Sequence, residues 1–241
     1  MRCLAVILIT AISATALTRL GSAADLPVKA QPKPLTPAPY SWTGFYLGIQ
    51  GGGGWADTRH TNAMNGINSG DVRINGGLFG GTYGYNFQTG SWVLGIEGDF
   101  SWSGIKKNFD DSAPELFFCT IPDSPIKCMT DLRWLGTDRA RLGYAWDRLL
   151  VYGTAGVAYG NVRGTLANTD FLVSVGDNTR TGFIFGGGVE WAFMPAWSVK
   201  AEYLRTDLGD KITYSISNRF PQFVSLTNIN IARVGINYHF R

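Results

Sequence analysis

The chain is short of charge, of histidine and of cysteine. Charged residues make up 16% of its 241 residues, while histidine occurs twice and cysteine three times. Structural zinc sites use four cysteine or histidine ligands, and no histidine lies near Cys119 or Cys128. Long apolar runs are also missing, since the stretch from Leu4 to Leu17 is shorter than the roughly 20 residues of a membrane-spanning helix. The composition therefore disfavours a metal site and an N-terminal membrane anchor.

The first 24 residues predict a secretory signal peptide. A basic Arg2, the apolar run and the small residues Ser22-Ala23-Ala24 occur in the order typical of such signals. Cleavage would remove Arg2 and Arg19, so that 21 basic residues fall to 19 against 18 acidic ones. No basic surface for nucleic acid is then expected. Residues 25–41 contain five prolines and predict an extended periplasmic segment, for which peptidoglycan contact is an alternative role.

Glycine and aromatic residues are abundant. The chain has 31 glycines and 13% aromatic residues, and its glycine share is about twice the usual level of about 7%. Helices disfavour glycine, whereas strands favour aromatic residues. Residues 42–241 are accordingly predicted to be all-β.

The last predicted strand, residues 227–240, shows the pattern most clearly. Ala232, Val234 and Ile236 alternate with Arg233 and Asn237, so one face is apolar and the other polar. Segments of this kind are predicted at 43–56, 72–88, 92–103, 131–146, 149–162, 181–194, 197–207 and 227–240. Short turns alternate with longer connections at 57–71, 104–130, 163–180 and 208–226. This layout predicts an eight-stranded antiparallel up-and-down transmembrane β-barrel with its long connections outside the cell.

The same alternation predicts which charges face the lumen. Four acids and four bases share the inward face: Glu97, Asp99, Arg139, Arg141, Glu190, Lys200, Glu202 and Arg233. An eight-stranded barrel is wide enough only for side chains, and buried charges need partners, so the lumen is predicted to be closed. Asp138 does not fit, because the frame that puts Arg139 inside puts Asp138 outside. A bulge at Asp138 or a position near a membrane interface would explain it.

Aromatic residues at the strand ends predict two interfacial girdles. The girdle residues are Trp42, Trp92, Trp102, Trp134, Tyr144, Trp146, Trp191, Trp197 and Tyr238. Tyr238 and Phe240 end the last strand and are interpreted as the signal read by the barrel-assembly machinery.

Several stretches resemble one family. WTGFYLGIQGGGGW (42–55), GGLFGGTYGYNFQ (76–88), ARLGYAWDRLLVYGTAGVAYG (140–160), GFIFGGGVEWAFMPAWSVKAEYLRTDLG (182–209) and ARVGINYHF (232–240) are similar to the outer-membrane immunogenic proteins of alphaproteobacteria. These are small porin-family barrels related to the opacity-protein and adhesin-like barrels. The resemblance implies an outer-membrane location. It also suggests haem as a ligand, with His60 or Tyr214 as possible contacts.

The sequence gives little support for a phosphate site or a catalytic site. Gly51–Gly54 and Gly186–Gly188 precede no helix pattern and no Lys-Ser/Thr pair, so a phosphate site is disfavoured. His60 and His239 are predicted at opposite ends of the barrel and cannot share a catalytic site, and each is expected to be solvated. Aromatic residues in the long connections, namely Phe109, Phe117, Phe118, Phe220 and Phe223, form either a contact surface or a self-packed cluster.

The sequence therefore predicts a structural outer-membrane barrel that supports the envelope and displays surface loops. It is predicted to have no enzymatic activity and no cofactor. The alternatives are a surface receptor for haem or another ligand, and a small diffusion pore. The expected partners are outer-membrane lipid, lipopolysaccharide and the barrel-assembly machinery, with peptidoglycan or host-surface contact as further alternatives.

We expect the mature chain to begin at Ala24 or Asp25, because the small residues before Asp25 form the cleavage site. N-terminal sequencing of protein from outer-membrane fractions measures this. Recovery of the uncleaved chain from the inner membrane would contradict the prediction.

We expect Cys119 and Cys128 to form a disulfide, because they are the two cysteines of the predicted mature chain and exported proteins tend to pair such thiols. Closing so short a loop would stabilise the fold by roughly 2–3 kcal/mol. Thiol alkylation before and after reduction decides the matter, and two reactive thiols in the native protein would refute the bond. Its loss should leave the barrel folded.

Overall fold

A computed structural model describes residues 39–62, 71–108, 126–168, 172–208, 212–216 and 220–240. Within these ranges, no helix is long and apolar enough to cross a bilayer. The predicted signal peptide, most of the Pro-rich segment and Cys119 lie outside the described residues.

The described residues form one antiparallel sheet that closes on itself. Its strands are β1 (Gly44–Asn62), β2 (Val72–Thr89), β3 (Trp92–Asn108), β4 (Ile126–Trp146), β5 (Leu149–Asn168), β6 (Leu172–Met194), β7 (Trp197–Asp207), β8 (Ile212–Ile216) and β9 (Phe220–His239). Each of β1 to β6 pairs with the next strand, and β9 pairs with both β7 and β1. The short β8 pairs with the first residues of β9. The predicted all-β, eight-stranded barrel is therefore confirmed, with β8 as a small addition.

The strands run further than the alternation predicted. β5 ends at Asn168 and β6 begins at Leu172, so most of the connection predicted at 163–180 is paired strand. β4 begins at Ile126, which puts Cys128 in a strand and not in the predicted loop. These extensions carry polar residues on their outer face, for example Arg59, whose hydrogen bond lowers the pKa of Asp71. Without an apolar outer face, the alternation of apolar and polar residues that predicts a strand disappears.

The short turns define one end of the barrel, called the turn end below, and the opposite end is the loop end. At the turn end, Gly90 and Asp147 have positive φ angles of 58° and 51°. Glycine adopts this conformation freely and aspartate tolerates it better than most residues. The two-residue turns that these residues allow bring consecutive strands into register.

The outer face of the barrel is apolar, as predicted. Its exposed side chains include Trp92, Leu94, Ile96, Phe100 and Trp102 of β3, and Phe183, Phe185, Val189, Trp191 and Phe193 of β6. Trp42, however, was wrongly predicted to lie in a girdle, because it is fully buried. It precedes β1 and folds across the turn end, where its indole Nε1 donates to the backbone oxygen of Asp147 at 3.0 Å.

The interior consists of three layers. Near the loop end lies an aliphatic cluster of Ala56, Ile74, Leu78, Ile105, Leu132, Leu135, Ala158, Val162, Ile184, Leu204, Leu208, Leu226, Ile229 and Ile231. At the turn end lies a second cluster of Tyr40, Trp42, Val93, Ala145, Leu150, Tyr152 and Ala192. The buried charges occupy the space between them. We call these the aliphatic layer, the aromatic cap and the charged layer.

Candidate functional site: the charged layer of the lumen

Five strands bring the eight predicted inward charges together. β3, β4, β6, β7 and β9 each contribute at least one of Glu97, Asp99, Arg139, Arg141, Glu190, Lys200, Glu202 and Arg233, and all eight are between 0% and 6% exposed. Each alternates along its strand with lipid-facing residues, so the period of two determines the inward position. Four positive and four negative side chains thus share one enclosed volume.

Arg139 lies at the centre of the charged layer. Its guanidinium donates to Glu97 at 2.5 Å, to Asp99 at 2.9 Å and to Glu202 at 2.8 Å. Arg233 makes a second bridge, because it donates to Glu202 at 2.8 Å and to both oxygens of Asp99 at 3.0 and 2.8 Å. These contacts link β3, β4, β7 and β9 across the bore. The planar guanidinium suits such multiple contacts because its five N–H donors are fixed in one fork.

Arg141 extends the charged layer towards the turn end. It donates to Glu190 at 2.8 Å and to the hydroxyl of Tyr46 at 2.9 Å. Its guanidinium carbon lies 3.8 Å from the ring centroid of Tyr152, which is a cation–π contact. Lys200 donates to Glu97 at 2.9 Å. Every one of the eight charges therefore has an oppositely charged partner.

Neutral side chains complete the surroundings of Glu190. Ser198 and Asn237 donate to its Oε1 at 2.6 and 2.8 Å, and His239 lies 3.4 Å from the same oxygen. The expectation that His239 is solvated was wrong, because the residue is 3% exposed and packs against Trp42 with ring centroids 5.7 Å apart. His239 lies on the same face of β9 as Arg233 and Asn237, so the alternation could have predicted that it is buried.

The Ser198–His239–Glu190 contact does not have the geometry of a hydrolase triad. His239 Nε2 lies 2.9 Å from Ser198 Oγ and 3.4 Å from Glu190 Oε1, so one ring nitrogen faces both oxygens. A triad needs the acid on Nδ1, so that Nε2 can take the proton of the nucleophile. The contact satisfies the hydrogen-bonding needs of a buried carboxylate and leaves no aligned base for catalysis.

Glycines opposite the large side chains make room for the charged layer. A Cβ at Gly188 would lie 2.9 Å from the hydroxyl of Tyr152, and one at Gly95 would lie 3.0 Å from Cγ of Arg141. Both distances are too short for an ordinary contact. The glycine-rich strands thus allow bulky neighbours into a narrow bore.

The aromatic cap closes the charged layer at the turn end. The backbone N–H of Tyr40 donates to Asp147 at 2.9 Å, and that of Trp42 donates to Gln88 at 2.7 Å. Tyr40 belongs to the segment predicted as a linker, but it packs edge-on against Trp42 with centroids 4.9 Å apart. This closure by residues that precede β1 was not predicted.

The other candidate residues lie where the structure describes no side chain. This applies to Cys119, Cys128, His60, Tyr214 and the loop phenylalanines, so the disulfide and the haem contacts stay predictions. In the described ranges, no group of three or more His, Cys, Asp or Glu residues could hold a metal ion. Tyr238 and Phe240, the predicted assembly signal, are both exposed at the turn end.

Comparisons with known proteins agree with this architecture. The family model "Outer membrane protein beta-barrel domain" matches residues 5–240. The 31 kDa outer-membrane immunogenic protein of Brucella melitensis is 38% identical over 233 residues, which cover 90% of this chain and 92% of the relative. The 22 kDa outer membrane protein of Rhizobium leguminosarum bv. viciae is 32% identical and covers 76% of this chain and 71% of its own.

Solved structures are more distant. OprG from Pseudomonas aeruginosa matches with a TM-score of 0.45 and 13% identity over 83% of this chain and 99% of its own. Neisserial surface protein A matches with a TM-score of 0.42 and 13% identity over 82% of this chain and 98% of its own. Neither likeness is close enough to support a conclusion about the present chain. The family model and the relatives do support one: the chain belongs to the outer-membrane β-barrel family, alongside the outer-membrane immunogenic proteins of alphaproteobacteria, and it resides in the outer membrane.

Proposed function

We propose that the protein is a closed structural barrel that supports the outer membrane and displays its loops at the cell surface. The observation that carries this proposal is the filled lumen, in which the charged layer lies between the aliphatic layer and the aromatic cap. A general porin needs a water-filled bore, and eight strands provide none once side chains fill the interior. The proposal includes no enzymatic role, in line with relatives that are named as outer-membrane immunogenic proteins.

Surface display draws further support from the relatives. The Brucella proteins are named outer-membrane immunogenic proteins, a name that refers to molecules seen by an immune system. In this chain the paired strands continue past the outer aromatic girdle, where β1 reaches Asn62 and β3 reaches Asn108. Such extensions would hold the connecting segments away from the lipid surface. Lipopolysaccharide is the proposed neighbour of these extensions, and Tyr238 and Phe240 are the proposed contacts of the assembly machinery.

We expect little or no conductance from the refolded wild-type barrel in planar bilayers, because both ends of the charged layer are closed by apolar side chains. Single-channel recording measures this, first without ligand and then with haem to test the receptor alternative. A stable channel in the nanosiemens range would contradict the closed-barrel proposal and favour the diffusion pore.

Removing one member of the charged layer should destabilise the barrel. We expect Arg141→Met or Glu190→Gln to lower the free energy of unfolding by about 3–5 kcal/mol, because each leaves a buried charge without its nearest oppositely charged partner. Replacing both residues by methionine should cost less than either single change. Urea unfolding in lipid vesicles measures the difference.

Arg59→Met provides the matched control, since it removes an arginine from an exposed ion pair with Asp71 and should leave stability near that of the wild type. Equal effects of Arg59→Met and Arg141→Met would show that burial does not determine the cost. A double variant less stable than both single variants would show that Arg141 and Glu190 are not partners.

A further inference from the structure

A carboxylate faces lipid on the outer wall. Asp138 is exposed and pairs in regular register with Gly98 of β3 and Val157 of β5. The predicted bulge is therefore absent at this position, since the register shifts of β4 occur between Leu132 and Trp134 and opposite Trp102–Ile105. Asp138 is also far from both interfaces. It lies between Trp134 and Tyr144 of the two girdles, roughly 13 and 20 Å along the strand at about 3.3 Å per residue.

Two tyrosines lie flat against the wall beside Asp138. Tyr159 of β5 donates its hydroxyl to Asp138 Oδ2 at 3.2 Å. Its ring covers Gly136, and the ring of Tyr83 covers Gly98, since a Cβ at either glycine would collide with the ring above it. Side chains at these two positions would push the tyrosines into the lipid. The glycines thus hold two phenols close to one carboxylate.

An apolar groove leads from the turn end to this carboxylate. Its volume is about 790 Å³, and its lining includes Phe45, Leu47, Tyr83, Ile96, Phe240 and, at the far end, Asp138. Small-molecule sites have volumes of about 300–1,000 Å³ and combine apolar walls with a few placed polar groups. Among the described residues, Asp138 Oδ1 has no hydrogen-bond donor. The groove therefore has the size and polarity of a ligand site with one acceptor left open.

Charge identifies the occupant that fits. Ionisable residues inside the membrane are costly to retain and tend to mark binding sites. In a second copy of the chain, Arg139, Arg141, Lys200 and Arg233 point inward. Arg205 of β7 faces outward beside Phe185, but its guanidinium already donates to Asn228 at 2.6 Å, so the base that it would offer to Asp138 is engaged. Acyl chains fill an apolar groove but donate no hydrogen bond. An apolar molecule with an amine does both.

We propose that this groove binds a lipophilic amine dissolved in the membrane, with its apolar body along Phe45, Leu47 and Ile96 and its nitrogen on Asp138. The amine donates to the open oxygen of Asp138, while Tyr159 keeps the other oxygen occupied. This activity is additional to the structural role and does not depend on it, because the groove lies on the opposite side of the wall from the charged layer.

Photo-cross-linking tests the proposal with the refolded mature chain in phosphatidylcholine vesicles. The probe is dodecylamine with a diazirine near the end of its chain, and dodecanol and dodecane with the same diazirine are the comparisons. We expect the amine to label Phe45, Leu47 or Ile96. Unlabelled dodecylamine should displace it at about ten- to hundredfold lower concentration than dodecanol, the ratio expected of a charge-assisted hydrogen bond.

Three variants separate the explanations. Asp138→Asn keeps the side-chain size and should remove the preference for the amine, whereas Asp57→Asn, a carboxylate of β1 outside the groove, should preserve it. Ile96→Trp should fill the groove and reduce labelling by all three probes. Equal labelling by amine, alcohol and hydrocarbon would overturn the proposal in favour of acyl chains. A dimer of the refolded chain that Asp138→Asn abolishes would overturn it in favour of self-association. An amine preference that survives Asp138→Asn would show that the amine binds elsewhere.

Discussion

The narrow bore of an eight-stranded barrel is the constraint on which the rest of the structure depends. Side chains that face inward cannot reach bulk water, so every charge there must find its partner inside the wall. The guanidinium groups of Arg139 and Arg233 meet this requirement because each binds carboxylates from different strands. The same contacts tie distant parts of the sheet together. The same side-chain contacts thus pair the buried charges and hold the closed barrel together.

This constraint also explains why the interior is layered. A charge cluster without cover would draw water into both ends of the bore, which would weaken its ion pairs through dielectric screening. Aliphatic residues such as Leu135 and Ile231 exclude water on one side, and Trp42 does so on the other. β9 shows both environments along one inward face, since Ile229 and Ile231 are followed by Arg233 and Asn237. Whether an inward residue is polar or apolar therefore depends on its depth along the bore and not only on the alternation of the strand.

How much the sequence could predict depends on which solvent each residue meets. Where lipid covers the outer face, alternation is strong, and it correctly predicted the strand count and the closed sheet. Beyond the girdles, the outer face carries polar residues, so the alternation disappears and the ends of β5 and β6 were missed. Trp42 was misplaced for a different reason, because an aromatic residue next to a strand looks the same in sequence whether it turns outward to lipid or inward as a cap. The inward position of the charges could be predicted from the alternation of their strands alone. The contacts of His239 could be identified only from the three-dimensional fold.

The aromatic cap has a consequence for the order of assembly. Trp42 is joined to β1 by a single residue and touches His239 near the end of β9, so its binding pocket exists only when the first and last strands have met. An unclosed intermediate would hold its buried charges in a bore still open to the periplasm. Trp42 can therefore seal the turn end against water only after the two terminal strands have joined.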